Sequence, residues 1–263
     1  LYFLGKKTKN SKIKVVQVGE GADELFYGYD HWNRYLKLNK FFKPFFKSTK
    51  KYSSFKNHRL NMLSNILFNR TSFAGGALGF NLKELDSLIE DGLPNHSDLI
   101  FYADNKWKDY FSNKNSKISK WMTLIDLKIR LPELLLMRMD KLVMQSAVEA
   151  RVPFLDHKLV EYVLSLPEEL LIDLTNTKSL LKKVALKYLP DQIINRKKQG
   201  FRAPIGEWIK KDEEKFYESV QQFNSLVNLF NERELNHILN GNDYQKKWYL
   251  INLSNWHLAR VAN

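Results

Sequence analysis

Three acidic residues, Glu20, Asp23 and Glu24, lie close together near the start of the chain. They follow a β-branched run over residues 13–18, which predicts a buried strand, and they open a predicted helix. In an open α/β sheet, ligands bind beyond the carboxyl ends of the strands, and a helix N-terminus there favours anionic groups. A cluster of carboxylate oxygens at this place suits a magnesium ion that bridges to phosphates. For the pattern GxGxxE alone, an ordinary strand, turn and helix is the favoured interpretation.

A second group of charged residues lies inside an apolar stretch, residues 131–166. Pro132 suits the first turn of a helix, and the residues after it are apolar on most sides, which predicts a buried central helix. Arg138, Asp140 and Lys141 fall within this helix, and buried charges need partners. For Asp140, a structural and a functional role are equally open.

The end of the same stretch has a structural interpretation. Residues 151–153, Arg-Val-Pro, break the helical pattern, and Glu149 with Arg151 suggests an internal ion pair. Asp156 is well placed to cap the helix that runs to Leu166. Glu149, Arg151 and Asp156 are therefore predicted to stabilise the fold.

Basic residues mark a third region. Lys178 lies near the start of a predicted helix, where a cation is unfavourable against the helix dipole unless an anion is nearby. Residues 195–201, NRKKQGF, form a compact cationic turn that contains Lys198. Such a turn suits pyrophosphate, or the charge that develops on a transferring phosphoryl group. Taken alone, a solvated loop of lysine and arginine is the favoured interpretation.

Composition excludes several classes of protein. The chain has 263 residues, enough for one large domain or two small ones, and its hydrophobic content of 44% argues against wholesale disorder. No apolar run approaches a membrane span, and no signal-peptide pattern is present. Cysteine is absent, which excludes disulfides, thiolate metal sites and a cysteine nucleophile. We expect a cytoplasmic location.

The net charge of +13 is unevenly distributed. No acidic residue occurs between Asp30 and Glu84, where basic and aromatic residues are interleaved, most densely over residues 34–70. This pattern could indicate nucleic-acid binding or a helix at a membrane surface. An amphipathic helical hairpin is favoured, because no recognition-helix or RNP pattern accompanies the charge. Neither nucleic acid nor membrane is a predicted partner.

In their order and wording, the three regions resemble the synthetase domain of the glutamine-dependent asparagine synthetase family, which has a PP-loop ATPase fold. The first reads VVQVGEGADELFYGY and resembles that family's strand and SGEGADELFGGY motif. The second, MRMDKLVMQSAVEARVPFLDHKLVEYVLSLP, is similar to its DRxxMAxSxExRVPFLDxxLVE block. The third, TKSLLKKVALKYLPDQIINRKKQGFRAPIGEW, is similar to its TKxxLRxAxxxxLPxxIxxRxKxGFxxP block. Each motif is moderately specific, and three in the right order are strongly so.

The resemblance implies a two-step reaction that uses ATP and Mg²⁺. ATP adenylates a carboxylate, usually that of aspartate, and ammonia then displaces AMP to give the amide. The functional positions of the family fall on nucleotide-contacting Val18 and Gly19, catalytic Glu20, the magnesium ligand Asp23, and the phosphate-contacting lysines Lys178 and Lys198. Glu20 would act in intermediate formation and ammonia attack, and Lys198 would stabilise the transition state.

Two parts of the family pattern are missing. No Ser-Gly-Gly occurs, so the SGGxDSS pyrophosphate loop is absent, and so is the glutaminase domain with its N-terminal cysteine. The chain is therefore expected to be the C-terminal part of a synthetase, with a glutaminase domain supplied in cis or in trans. Val18 replaces a serine of the motif and Tyr27 a glycine, which leaves adenine affinity and the exact carboxylate open.

We predict an α/β, predominantly helical fold, a partial PP-loop ATPase of the adenine nucleotide alpha hydrolase type. Residues 1–263 are expected to form one synthetase domain, with a nucleotide-site segment over 1–35, a variable helical region over 36–120 and a helical body over 121–263. The predicted function is an asparagine synthase-like, ATP-dependent amide ligase. The sequence leaves the oligomeric state open, and a homodimer is one possibility. The alternatives are a non-catalytic binding or scaffolding subunit, amidation of another carboxylate in a polysaccharide or peptide pathway, and, less favoured, a nucleic-acid-binding module.

Overall fold

The computed structural model describes residues 1–42, 79–93, 118–196 and 203–261. They form two compact units, the first made of residues 1–42 and 118–196, the second of residues 79–93 and 203–261. The cationic turn with Lys198 and most of the basic, aromatic-rich stretch lie outside the described residues.

Helices dominate both units, which confirms the predicted predominantly helical α/β class. The first unit contains α1 (Tyr2–Asn10), β1 (Val15–Gln17), α2 (Ala22–Leu25), α3 (Asp30–Phe42), α5 (Ile118–Ile125), a π-helical segment (Asp126–Leu136), α6 (Met137–Met144), β2 (Glu149–Arg151), a 3₁₀ turn (Pro153–Leu155), α7 (His157–Ser165), α8 (Glu168–Leu171), α9 (Ser179–Ala185) and α10 (Asp191–Ile194). The second unit contains α4 (Leu82–Leu88), α11 (Ile205–Lys211), α12 (Glu213–Val227), α13 (Glu232–Asn240) and α14 (Tyr244–Val261). None of the helices in these ranges has the length and apolar character needed to cross a membrane.

Strands β1 and β2 form a two-stranded parallel sheet in the first unit, with Val16 opposite Ala150. One face of this sheet, which carries Val16, Val18 and Ala150, packs with Met139 and Val143 of α6. The side chains that alternate with them are exposed. A strand within residues 13–18 is therefore confirmed, but the prediction that this strand is buried is wrong. The strand has three residues, and the described part of the chain covers it on the face where α6 packs.

The π-helical segment joins α5 and α6 into one continuous helix. Pro132 was expected to open a helix, but it lies inside the π-helical segment, so that prediction is wrong. Proline cannot donate a backbone hydrogen bond and its ring clashes with the preceding turn of an α-helix, so a departure from α-helical geometry around Pro132 agrees with both effects.

Helix α6 is amphipathic, so the prediction of a buried central helix is also wrong. Met139 and Val143, four residues apart, are buried on one face, whereas Arg138, Asp140 and Lys141 are exposed. Because the charged side chains reach water, they do not need the buried partners that the sequence suggested.

The chain after α6 is stabilised near its surface. Arg151 donates to Glu149 at 2.8 Å, which confirms the predicted pair, but both side chains are more than half exposed, so the pair is not internal. Asp156 accepts hydrogen bonds from the N–H groups of Lys158 (3.0 Å) and Leu159 (3.3 Å) at the start of α7. The predicted cap is therefore confirmed.

Replacing Asp156 by alanine is expected to lower the free energy of unfolding by about 1 kcal/mol, because two backbone donors at the start of α7 lose their acceptor. Urea denaturation measures this change. Glu161→Ala, at an exposed position of the same helix, is the matched control and is expected to change stability by less than about 0.5 kcal/mol. An equal effect of both substitutions would contradict the capping role.

The second unit has its own apolar core, in which Val220 and Phe223 of α12 pack with Leu250 and Ile251 of α14. Lys247 is buried beside this core and donates to Glu213 at 3.3 Å. A buried lysine is stable only with such a partner. The second unit is therefore held by apolar packing together with the pairing of buried Lys247 with Glu213, whose side chain is 43% exposed.

Candidate active site

The turn after β1 is fixed by β2 and by the 3₁₀ turn. The N–H of Val18 donates to the carbonyl of Arg151 at 2.9 Å, which extends the pairing of the two strands. Gly21 adopts a left-handed φ of 91° at the start of α2, and a side chain there would run into Leu155. By contrast, a Cβ atom at Gly19 would meet no atom of the described residues within 4 Å. A ligand can therefore approach the backbone closely at Gly19.

A turn around Asp173 positions Lys178. The Asp173 carboxylate accepts from the N–H groups of Thr175 (2.8 Å) and Asn176 (3.2 Å), and Asn33 of α3 donates to the Asp173 carbonyl (3.2 Å). Lys178 itself has a left-handed φ of 55° and caps α9 through its backbone. This conformation is uncommon for a residue with a side chain. The lysine thus lies at the start of a helix, as predicted.

Lys178 and Asp23 form an ion pair at this end of the sheet. The Nζ atom of Lys178 lies 3.1 Å from Oδ1 of Asp23, and the two side chains are 26% and 25% exposed. Asp23 is therefore the anion that the sequence required near Lys178. Gly28 lies directly against both side chains, and a Cβ atom there would overlap Asp23 Oδ1 and Lys178 Cε. A carboxylate and an ammonium group, both accessible to solvent, are thus held together.

Glu20 lies in an environment that strengthens it as a base. Burial raises the pKa of the Glu20 carboxyl, and the nearby carboxylates of Glu24 and Asp23 raise it further. Arg130 and Arg138 oppose this rise. A carboxylate with a raised pKa accepts protons more readily near neutral pH. Glu20 is therefore suited to a general-base role.

Glu24 is not part of an open acidic cluster. It is 1% exposed, and its Oε1 accepts from the Tyr29 hydroxyl (2.5 Å) and from Arg130 (2.9 Å). Arg130 also donates to Asp126 at 2.5 Å, and its guanidinium group lies over the Tyr29 ring, 4.8 Å from the centroid. Burial raises the pKa of Asp126, and the hydrogen bond and charge of Arg130 oppose that rise.

The predicted magnesium cluster of three carboxylates is therefore wrong. In the part of the chain that the structure describes, no group of three or more acidic, histidine or cysteine side chains could hold a metal ion. Glu24 is instead paired with Arg130, whose side chain is 12% exposed. Asp23 alone still fits a magnesium ion, because Mg²⁺ is often held by one or two carboxylates together with substrate phosphates.

The structure brings together most of the predicted site residues and adds others. Val18, Gly19, Glu20, Asp23 and Lys178 all belong to the first unit, and Lys198 lies outside the described residues. Four residues of this region were not predicted from the sequence, namely Gly28, Tyr29, Asp126 and Arg130. The spacing of Asp126 and Arg130, four residues apart on a helix, was the one available signal of an ion pair.

The fold and the site define an α/β protein in which an open glycine backbone, an accessible carboxylate and a lysine lie at the end of a parallel strand. This arrangement is typical of proteins that bind anionic ligands. The chain belongs to the asparagine synthase family, whose family model matches residues 1–258.

Curated relatives agree with this family. Asparagine synthetase [glutamine-hydrolyzing] 1 of Bacillus subtilis (strain 168) is 30% identical over 230 residues, which cover 84% of this chain and 35% of the relative. A putative asparagine synthetase [glutamine-hydrolyzing] of Mycobacterium tuberculosis (strain ATCC 25618 / H37Rv) is 29% identical over 283 residues, which cover 100% of this chain and 42% of the relative. The chain thus spans well under half the length of these relatives. No solved structure matches it significantly.

Proposed function

We propose that this chain carries the amide-forming part of an ATP-dependent ligase that resembles glutamine-hydrolysing asparagine synthases. The observation that carries the proposal is the pairing of Asp23 with Lys178 beside the open backbone at Gly19. A metal-bound triphosphate needs a carboxylate for the metal and a cation for the phosphates, and these two side chains supply both. Membership of the asparagine synthase family supports the same reaction class.

Each residue has a proposed role in this reaction. The backbone at Val18 and Gly19 would contact the nucleotide, and Asp23 would bind Mg²⁺, which neutralises phosphate charge when it is bound. Lys178 would contact the phosphates. Glu20, with its raised pKa, would accept a proton from ammonia as nitrogen attacks the adenylated carboxylate. Lys198 would stabilise the departing pyrophosphate.

Several finer points remain predictions. They are the PP-loop fold type, the cytoplasmic location, aspartate as the carboxylate, ammonia from a glutaminase domain in cis or in trans, and a homodimer. The single-domain division over residues 1–263 also stays a prediction. The names of the relatives, which include glutamine hydrolysis, support a glutaminase partner for this chain.

The decisive experiment measures pyrophosphate release by the full chain with MgATP and ammonium, with and without aspartate. We expect release that requires aspartate and that falls at least about tenfold in Lys198→Ala, because the charge on the leaving pyrophosphate loses a partner. Lys197→Ala is the matched control and should keep most of the activity.

Other outcomes separate the alternatives. If pyrophosphate release requires a different carboxylate, such as that of a sugar acid or a peptide, then that compound and not aspartate is the substrate. No release with any carboxylate would contradict a catalytic role for this chain and would favour a binding or scaffolding subunit. Binding to nucleic acid that weakens steeply with added salt would favour the nucleic-acid alternative.

A further inference from the structure

We propose that Arg130 is a positioning residue for the amide-forming step, because it anchors Glu24 and thereby fixes the turn that carries Glu20. The proposal rests on the proposed function. It adds a residue that the sequence motifs do not contain, contributed by the π-helical segment, 106 positions from Glu24 in the chain.

The contacts of Arg130 connect the turn to the long helix. Its Nη2 atom lies 2.9 Å from Glu24 Oε1 and 2.5 Å from Asp126 Oδ2. The same oxygen of Glu24 also accepts the Tyr29 hydroxyl, and the Arg130 guanidinium group lies over the Tyr29 ring. A second contact comes from Thr123, whose hydroxyl donates to the Glu24 carbonyl at 3.4 Å. Glu24 is therefore held through both its side chain and its backbone.

These contacts are needed because α2 has only four residues, Ala22–Leu25. A single helical turn is not stable by itself, since nucleation costs more than one turn of hydrogen bonds returns. Gly21, which precedes α2, adds conformational freedom rather than rigidity. The backbone before Glu20 is held by the hydrogen bond of Val18 to Arg151, and the backbone after it by the contacts of Glu24, so the orientation of Glu20 depends on both.

The charges explain why this anchor is an arginine. Glu24 is 1% exposed and Asp126 is fully buried, so two carboxylates compete for one cation. A guanidinium group offers several N–H donors in a plane and can serve both carboxylates while it stacks on an aromatic ring. Since Nη2 makes both carboxylate contacts, the feature that a lysine ammonium group cannot reproduce is the planar group over the Tyr29 ring.

The step that depends on this geometry is the attack of ammonia on the acyl-adenylate. The nitrogen lone pair forms the new C–N bond, the C–O bond to the phosphate of AMP breaks, and AMP leaves with that electron pair. One proton of the nitrogen passes to Glu20. Adenylation, by contrast, depends on Asp23 and Lys178. Asp23 also belongs to α2, but its carboxylate is held by the ion pair with Lys178. Loss of Arg130 should therefore affect the second step more than the first.

The test is the ratio of amide formed to pyrophosphate released by the full chain with MgATP, aspartate and ammonium. For Arg130→Met we expect this ratio to fall about tenfold, because adenylate forms but is captured poorly. A smaller folded fraction would lower both products equally and leave the ratio unchanged. Arg130→Lys should recover part of the ratio, since it keeps the charge.

Lys246→Met is the matched control. Lys246 pairs with Glu84 at 2.7 Å in the second unit, and both side chains are about one-fifth exposed, so the substitution also removes a partly buried ion pair. Its ratio should equal that of the wild type. If Arg130→Met does not fold, Arg130→Lys decides alone, and a ratio below the wild-type value supports the proposal.

An unchanged ratio in a folded, active Arg130 variant would overturn the positioning role and leave the proposed function intact. A wild-type chain that releases no pyrophosphate with any carboxylate would overturn the proposed function and this inference with it.

Discussion

Replacing Glu20 by glutamine is expected to lower the rate of amide formation by about a hundredfold or more, which is the usual range for loss of a general base. Glutamine has nearly the same shape but cannot accept the proton that ammonia loses. Pyrophosphate release should also fall, because Glu20 is expected to act in intermediate formation, but it should fall less, because adenylation of a carboxylate releases no proton for Glu20 to accept. The measurement is the rate of asparagine formation under saturating MgATP, aspartate and ammonium.

The pH dependence of the same reaction provides an independent check. Burial, together with the charges of Glu24 and Asp23, raises the pKa of Glu20, so its charged form is lost at a higher pH than for an ordinary glutamate. Amide formation should therefore fall as the pH is lowered through this raised pKa, when ammonia concentration is held constant. The fall should be absent in Glu20→Gln.

Glu161→Gln is the matched control for this substitution, because Glu161 is an exposed glutamate on α7. It should leave both the rate and the pH dependence unchanged. If Glu20→Gln formed asparagine at the wild-type rate, Glu20 would not be the base.

Replacing Gly28 by alanine is expected to reduce kcat/KM for MgATP about a hundredfold, the size of effect that a displacement of about 1 Å can have on a catalytic group. The new methyl group would overlap Asp23 Oδ1 and Lys178 Cε. Both atoms lie towards the ends of flexible side chains, so the clash is relieved by moving them and not by unfolding the protein. Steady-state kinetics with varied MgATP measures the loss.

Gly206→Ala serves as the comparison for Gly28→Ala. A Cβ atom at Gly206 would approach Tyr244 no closer than 3.4 Å, which is an ordinary contact. Both variants should unfold at similar denaturant concentrations, and only Gly28→Ala should lose MgATP efficiency. Similar kinetics of the two variants would show that Asp23 and Lys178 do not depend on the space beside Gly28.

The sequence was most informative where function and local structure depend on neighbouring residues. The turn after β1, the position of Lys178 at the start of a helix and the cap at Asp156 each follow from a few adjacent side chains. The sequence also predicted that an anion lies near Lys178, but only the structure identifies Asp23 as that anion.

The parts that could not be predicted depend on packing between distant segments. Glu24 looked like a free carboxylate because nothing near it in the chain reveals Arg130 as its partner. Burial of β1 and α6 was overestimated because apolar residues alone do not show which side another element covers. Pro132 indicated a helix start because the π-helical geometry that accommodates it has no recognised sequence pattern.

The π-helical segment makes the number of residues between α5 and α6 as important as their identity. Asp126 and Arg130 lie within this segment, while Met139 and Val143 face the sheet one or two turns later. Deleting or inserting one residue between them would rotate one group relative to the other by roughly a quarter of a turn. The continuous helix could then no longer place Arg130 against Glu24 and also pack Met139 and Val143 against the sheet. Among family members, changes of length should therefore be rarer in this segment than substitutions.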